Sequence, residues 1–142
     1  MGEYKYRILK EKKLVLRCMI GNVDLKNFFQ NIANSVSDGD YSTKYSALYD
    51  FRDANLQGSI SSIHKFAADV RKETRIHEKR KVVFLTSTPN QVATSMLLES
   101  LRRWQMFDIT TVSTLDAAIR FLGMVPRDKI YLERIIKEMK SS

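Results

Sequence analysis

Residues 46–62 read SALYDFRDANLQGSISS, and this stretch decides the fold. Its mostly apolar residues 47–51 form a run too short for a helix, which predicts a buried strand. The polar residues that follow predict a loop, and Ser59 carries the kind of hydroxyl that caps a helix N-terminus. A strand, a loop and a helix in this order are typical of an α/β protein, in which ligands bind where parallel strands end.

Two strands are predicted before this stretch, over residues 4–9 and 14–20, with only a few polar residues between them. Such a short connection predicts an antiparallel hairpin. Residues 21–22, a glycine and an asparagine, are expected to end the second strand. Asp24 then caps a helix whose apolar residues recur at helical spacing. These apolar residues are Phe28, Phe29, Ile32 and Val36.

The clearest strand is predicted over residues 81–86, because KVVFLT is an apolar run too short for a helix. Three residues then predict a helix start. Thr88 caps it, Pro89 fits its first position and Gln91 completes a capping box. The buried side of this helix is predicted to carry Val92, Met96, Leu97, Leu101 and Trp104.

The alternation of strands and helices continues toward the C-terminus. A strand is predicted over residues 107–112, followed by a helix that Ser113 or Thr114 caps and Gly123 ends. Each helix is long enough to cross over between parallel strands, and such crossovers are right-handed. The predicted fold class is therefore α/β, with a mostly parallel five-stranded sheet and one antiparallel edge strand contributed by the N-terminal hairpin.

An amphipathic helix is predicted beyond the last α/β unit, so the chain divides into a domain over residues 1–124 and a C-terminal helix over residues 125–142. This helix can pack on its own domain or lie on a partner chain. We favour a partner or homodimer role, because the core of the first 124 residues is already complete. Its apolar residues are Ile130, Tyr131, Ile135, Ile136 and Met139.

The composition limits the classes of protein that the chain can belong to. A length of 142 residues suits one domain. The net charge of +8 favours contact with nucleic acid, anionic lipid or an acidic protein, but acidic residues are interspersed, so we expect a solvated basic surface. Nucleic-acid binding is not expected, because neither an aromatic-rich RNA-binding strand nor a recognition helix is recognisable. Cys18, the single cysteine, lies in an apolar run and is expected in the core.

The sequence predicts a cytoplasmic protein, because it has no secretion signal at its N-terminus and no apolar run near the roughly 18 residues of a membrane span. Catalytic residues, metal ligands and cofactors are not predicted. His64 and His77 lack the four-residue spacing of a helical metal pair, and phosphate-binding and nucleophile-elbow motifs are missing from the sequence. An enzyme is therefore not expected.

Polar side chains are expected to gather at the edge of the sheet where the parallel strands end. Asp50 and Arg52 share one face of their strand and can form a buried ion pair, whereas Asp53 faces the other way or turns into the loop. Hydroxyls beside helix N-termini can bind an anion or a partner, or they can serve only as helix caps. The candidate binding residues are Arg52, Asp53, Asn55, Ser59, Ser87 and Thr88.

The order of elements, the strand end LYDFRD at residues 48–53 and the segment STLDAAIRFL at residues 113–122 resemble the SpoIIAA-like superfamily. It includes STAS (anti-anti-sigma) domains and SEC14-like lipid-binding domains, and the chain is most similar to stand-alone bacterial members of unknown function. The resemblance covers residues 4–124 and implies βα units in sequential order. Anti-anti-sigma members carry a phosphorylated serine in an Asp-Ser-Ser-Gly motif, which GSIS at residues 58–61 does not match. No phosphorylation site is therefore transferred to Ser59.

The residues and the resemblance together predict a non-enzymatic regulatory or protein-interaction domain. It would bind a protein partner or a small ligand at the rim around residues 53–62. The alternative is a carrier of a small anionic or lipid-like ligand. The chain does not have the extra helical portion of full lipid-transfer proteins.

Overall fold

A mixed sheet of five strands forms the centre of the protein, in a computed structural model that describes residues 2–35, 37–42, 44–57, 65, 80–99 and 107–142. The strands are β1 (Glu3–Leu9), β2 (Leu14–Asp24), β3 (Ser46–Gln57), β4 (Arg80–Leu85) and β5 (Phe107–Val112). The helices are α1 (Leu25–Ser35), α2 (Pro89–Glu99), α3 (Leu115–Leu122) and α4 (Asp128–Ser141). The predicted helix capped by Ser59 lies outside the described residues, as do His64, His77, Leu101 and Trp104.

The strands follow one another in sequence order across the sheet. β1 pairs antiparallel with β2 through a tight connection, and β2, β3, β4 and β5 pair in parallel. This arrangement confirms the predicted α/β class, the hairpin and the mostly parallel sheet. None of the described helices combines the length and the apolar character that crossing a bilayer requires.

The second and third strands are both longer than predicted. β2 does not end at residues 21–22, and β3 does not give way to a loop after Phe51, because the two strands stay paired as far as Asp24 and Gln57. Gly21 has a φ of 79°, which glycine adopts without steric cost. Beyond Phe51, buried Ala54 and Leu56 alternate with exposed neighbours, which is the two-residue period of a strand.

A bulge interrupts the pairing of β2 with β3. Cys18 pairs with Asp50 and Ile20 pairs with Asp53, so two steps along β2 match three steps along β3. An extra residue of this kind changes which face the following side chains occupy. The bulge therefore sets the orientation of the polar residues at the end of β3.

Both faces of the sheet are covered by apolar side chains. On one face, α1 contributes Phe28 and Ile32 to a cluster with Tyr49, Phe51 and Phe84. The Phe28 ring meets the rings of Tyr49 and Phe51 edge-on, with centroids 5.6 and 5.7 Å apart. On the other face, α3 and α4 pack on residues of β2, β3 and β4.

α4 packs on the sheet of its own chain and not on a partner chain, the position that we favoured from the sequence, because it covers apolar residues of β2, β3 and β4. Leu132, Ile135, Ile136 and Met139 are buried in the same cluster as Cys18. Ile130, predicted for the apolar side of the helix, is 73% exposed. Both ends of α4 are attached to the N-terminal hairpin. Lys12 forms an ion pair with Asp128 at 2.8 Å, and Lys5 Nζ donates to the Met139 carbonyl at 2.8 Å.

The caps of α2 and α3 are as predicted, but the buried side of α2 differs. Thr114 accepts a hydrogen bond from the Ala117 amide, and Gly123 ends α3 with a φ of 74°. In α2, Met96 is 60% exposed, whereas Gln91 and Ser95 are buried. The prediction of a buried Met96 is wrong because the amide of Gln91 binds the backbone of β3 and turns that side of the helix toward the sheet.

Cys18 should be unreactive in the folded protein. It is fully buried beneath α4, and burial together with the charge of Asp50 raises the pKa of its thiol to about 12. Only about one thiol in ten thousand would be ionised at pH 8, and the thiolate is the reactive form. We expect iodoacetamide to leave Cys18 unmodified at pH 8 and to modify it fully in denaturant, as measured by mass spectrometry. Rapid modification of the native protein would contradict the position of α4.

Candidate functional site

An open depression of about 660 Å³ lies where β3 and β4 end beside the last turns of α4. Three of the candidate residues line it, and the rest of its lining comes from α4. We call it the strand-end depression. Its lining residues are Arg52, Asp53, Ser87, Glu133, Ile136, Lys137, Lys140 and Ser141.

A buried carboxylate, Asp50, forms the base of this site. It has no exposed surface, and it accepts hydrogen bonds from Arg52 Nε and Nη2, each at 3.0 Å. The Arg52 backbone amide adds a third bond at 3.0 Å. Lys140 Nζ lies 2.9 Å from the same carboxylate, so one buried negative charge holds two cations. The predicted Asp50–Arg52 ion pair is present, and α4 adds the lysine.

The charges of this network shift the pKa values of its members. Burial alone would raise the pKa of Asp50, but hydrogen bonds from Arg52 and Lys140 outweigh it, so the pKa lies below its ordinary value. Burial acts to lower the pKa of Lys140, and its bonds to Asp53 and Asp50 reverse this and raise it. All three groups, Asp50, Arg52 and Lys140, are therefore charged at neutral pH.

Asp53 belongs to the same network, contrary to the expectation that it faces away from Asp50. Its carboxylate lies 2.7 Å from Lys140 Nζ, and the lysine bridges the two aspartates. A regular strand would place residues 50 and 53 on opposite faces. The extra residue in β3 brings both to the face that α4 covers. Unlike Asp50, the Asp53 side chain is 56% exposed.

Ser87 and Gln91 join the start of α2 to the end of β3. Ser87 Oγ donates to the Arg52 carbonyl at 3.1 Å, and Gln91 Nε2 donates to the carbonyls of Arg52 and Ala54 at 3.2 and 2.8 Å. Gln91 Oε1 accepts from the amides of Ser87 and Thr88. Thr88 Oγ1 accepts a hydrogen bond from the backbone amide of Gln91, which confirms the capping box. Capping accounts for Thr88, which does not line the depression.

The remaining candidates lie elsewhere. Asn55 is exposed near the end of β3, where its Nδ2 donates to Asn22 Oδ1 at 3.0 Å, and it does not line the depression. Ser59 lies outside the described residues. The structure therefore brings together Arg52, Asp53 and Ser87 of the six candidates.

Sequence reasoning missed the contribution of α4. A buried aspartate requires a cation, but nothing near Asp50 in sequence indicated that a second one comes from residue 140. The sequence pattern identifies Gln91 only as half of a capping box, although its side-chain NH₂ group can donate two further hydrogen bonds. The pattern gave no means of identifying their acceptors on β3.

Three parallel strand pairings that follow an antiparallel hairpin, with the five strands in sequence order, define this chain as an α/β domain with a SpoIIAA-like fold. It is similar to the structure of an uncharacterised DUF3478-family protein from Shewanella loihica PV-4, which is described as having that fold. The TM-score is 0.53 with 9% sequence identity, over 85% of this chain and 93% of the other. No protein-family model matches the sequence. No curated protein matches it either.

Proposed function

We propose that the protein is a non-enzymatic interaction domain that binds a protein partner at the strand-end depression. The observation that carries this proposal is the ion-pair network beneath it. Asp50 fixes Arg52 and Lys140 in place, and the side chains of Asp53 and Arg52 remain 56% and 34% exposed. Charged groups held rigidly at a surface are suited to setting the specificity of a protein interface.

The environment of Ser87 supports a binding role over an enzymatic one. Its hydroxyl donates to a backbone carbonyl and lies 3.3 Å from the amide oxygen of Gln91. Neither group can take the hydroxyl proton, so the described neighbours do not activate this serine as a nucleophile.

The alternative function is that of a carrier for a small anionic or lipid-like ligand, and three cations in the lining favour an anion: Arg52, Lys137 and Lys140. Two of them, Arg52 and Lys140, already bind carboxylates of this chain. The depression is also wide and open, whereas small-molecule sites usually enclose most of their ligand. These features favour a protein partner, either a different protein or a second copy of this chain.

Native mass spectrometry of freshly purified protein separates the two functions. A co-purified small molecule would favour the carrier, and a ligand-free monomer or dimer favours the interaction domain. The wild type and two variants should then each be used to enrich binding proteins from an extract of the source cells, and the enriched proteins should be compared. Lys137→Glu reverses an exposed charge in the depression, and Lys26→Glu makes the same change on α1, on the other face of the sheet.

We expect Lys137→Glu to weaken binding of the true partner at least about tenfold, because like charges then meet across the interface. Lys26→Glu should bind as the wild type does. Circular dichroism should show that both variants fold. Equal binding by all three proteins, or equal loss in both variants, would mean that the partner does not use this surface.

A further inference from the structure

A second cavity lies between α1 and the β1–β2 pair, on the face of the sheet opposite α4. Its volume is about 20 Å³, which is room for one occupant the size of a water molecule or a single atom. Arg17, Tyr6, Phe28 and Ile32 are among the residues that line it. It is separate from the strand-end depression, and the proposed function does not use it.

Arg17 places a positive charge beside this cavity. It lies within β2 and is only 3% exposed. Its Nη2 donates to Ser35 Oγ at 2.7 Å, and its guanidinium lies over the rings of Tyr6 and Tyr49, 5.5–5.9 Å from their centroids. These partners are neutral, so they offset only part of the cost of burying the charge.

Among the described residues, Arg17 lacks a hydrogen-bond acceptor for Nε and a carboxylate partner for its guanidinium. Its Nε is buried and has no hydrogen-bond partner. No described carboxylate forms an ion pair with its guanidinium, whereas Arg52 of β3 is paired with Asp50. A buried N–H donor without an acceptor is costly, and a buried charge is ordinarily paired.

The lining of the cavity is compatible with a negative charge. It includes no aspartate or glutamate. Lys5 also contributes to the lining, but its ammonium group donates to the Met139 carbonyl of α4, so the charge next to the cavity is that of Arg17. Asp38 binds the Tyr6 hydroxyl at 2.8 Å and forms no ion pair with Arg17.

We propose that this cavity binds a single monovalent anion of halide size, such as chloride, as the counterion of the Arg17 guanidinium. The anion supplies the countercharge that the guanidinium lacks among the described residues. Because Arg17 also binds Ser35 at the end of α1, the bound anion strengthens the attachment of α1 to β2. An ion that binds only the folded state raises its stability.

Thermal unfolding at constant ionic strength tests the proposal. With chloride at about ten times its Kd, the unfolding equilibrium should shift about tenfold, which raises Tm by about 3–6 °C for a domain of this size. The reference is sodium gluconate, whose anion is too large for a cavity of about 20 Å³. The same Tm in both salts over a full chloride titration would overturn the proposal.

A variant and a direct observation complete the test. Arg17→Met should abolish the chloride dependence of Tm, and Arg134→Met, which changes an exposed arginine of α4, should retain it. Crystals of the wild-type protein grown in bromide should give an anomalous peak in this cavity, beside the Arg17 guanidinium. This measurement uses the wild-type protein, so it decides the question even if Arg17→Met does not fold. If the cavity gave no anomalous peak, its occupant would be water and the proposal would be overturned.

Discussion

Asp50→Asn should lower the free energy of unfolding by about 2–4 kcal/mol. Asp50 is completely buried and is the shared partner of Arg52 and Lys140. An amide in its place leaves the partly buried Arg52 without its carboxylate partner and Lys140 with Asp53 alone. Removing one partner of a buried ion pair is costly because the remaining charge stays desolvated. Chemical denaturation followed by circular dichroism measures the loss.

Asp53→Asn is the matched control. It removes a second carboxylate from the same lysine, but the Asp53 side chain is 56% exposed, so the expected loss is below about 1 kcal/mol. Equal losses in the two variants would mean that burial does not set the strength of this network.

The effect of Asp50→Asn should also depend on pH. The pKa of Asp50 is lowered in the folded protein, so its stabilising contribution is fully present above the unfolded-state pKa of about 4. It is lost as pH falls through the lower folded-state value. The stabilities of the wild type and Asp50→Asn should therefore converge as pH decreases below about 4. A difference that persists undiminished at acid pH would show that the variant acts through packing.

Leu132→Ala should lower the free energy of unfolding by about 2–5 kcal/mol. Leu132 is fully buried where α4 packs on the sheet, and truncating it leaves a cavity among residues that cannot close it completely. Denaturant titration measures the effect. Faster alkylation of Cys18, which lies in the same cluster, would report the loosening of α4 independently.

Ile130→Ala provides the comparison within the same helix. Ile130 is 73% exposed, so its truncation should change stability by less than about 0.5 kcal/mol. If α4 belonged on a partner chain, the two variants would affect the mass of an oligomer and leave the stability of the monomer unchanged. That result would contradict the packing of α4 on its own sheet.

The parts of this fold that local sequence signals encode were predictable. Thr88 with Gln91, and Thr114 with Gly123, mark the helix ends by side-chain capping and by a positive φ, and the structure confirms these marks. Short apolar or alternating runs predicted the five strands, and the family resemblance implied their sequential order in the sheet. Such signals depend on neighbours within a few residues, so they do not need the tertiary structure.

The parts of the site that long-range contacts determine were not predictable. The bulge depends on how β2 and β3 align, and the sequence around Asp53 carries no local signal for the extra residue. Lys140 reaches Asp50 from a helix 90 positions later in the chain, where it follows the ordinary pattern of a polar helix face. Apolar spacing predicts Met96 inside, whereas the hydrogen bond from the Gln91 side chain to β3 turns the opposite side of α2 toward the sheet.

The attachment of α4 to the first two strands has a consequence for the order in which the chain folds during synthesis. Lys5 binds the carbonyl of Met139, so this contact joins residues 134 positions apart. Until the ribosome has made α4, the side of the sheet carrying Leu14, Leu16 and Leu48 lacks much of its cover. The nascent domain therefore exposes an apolar surface that is prone to aggregation, and we expect a chaperone to cover this surface until α4 has been translated.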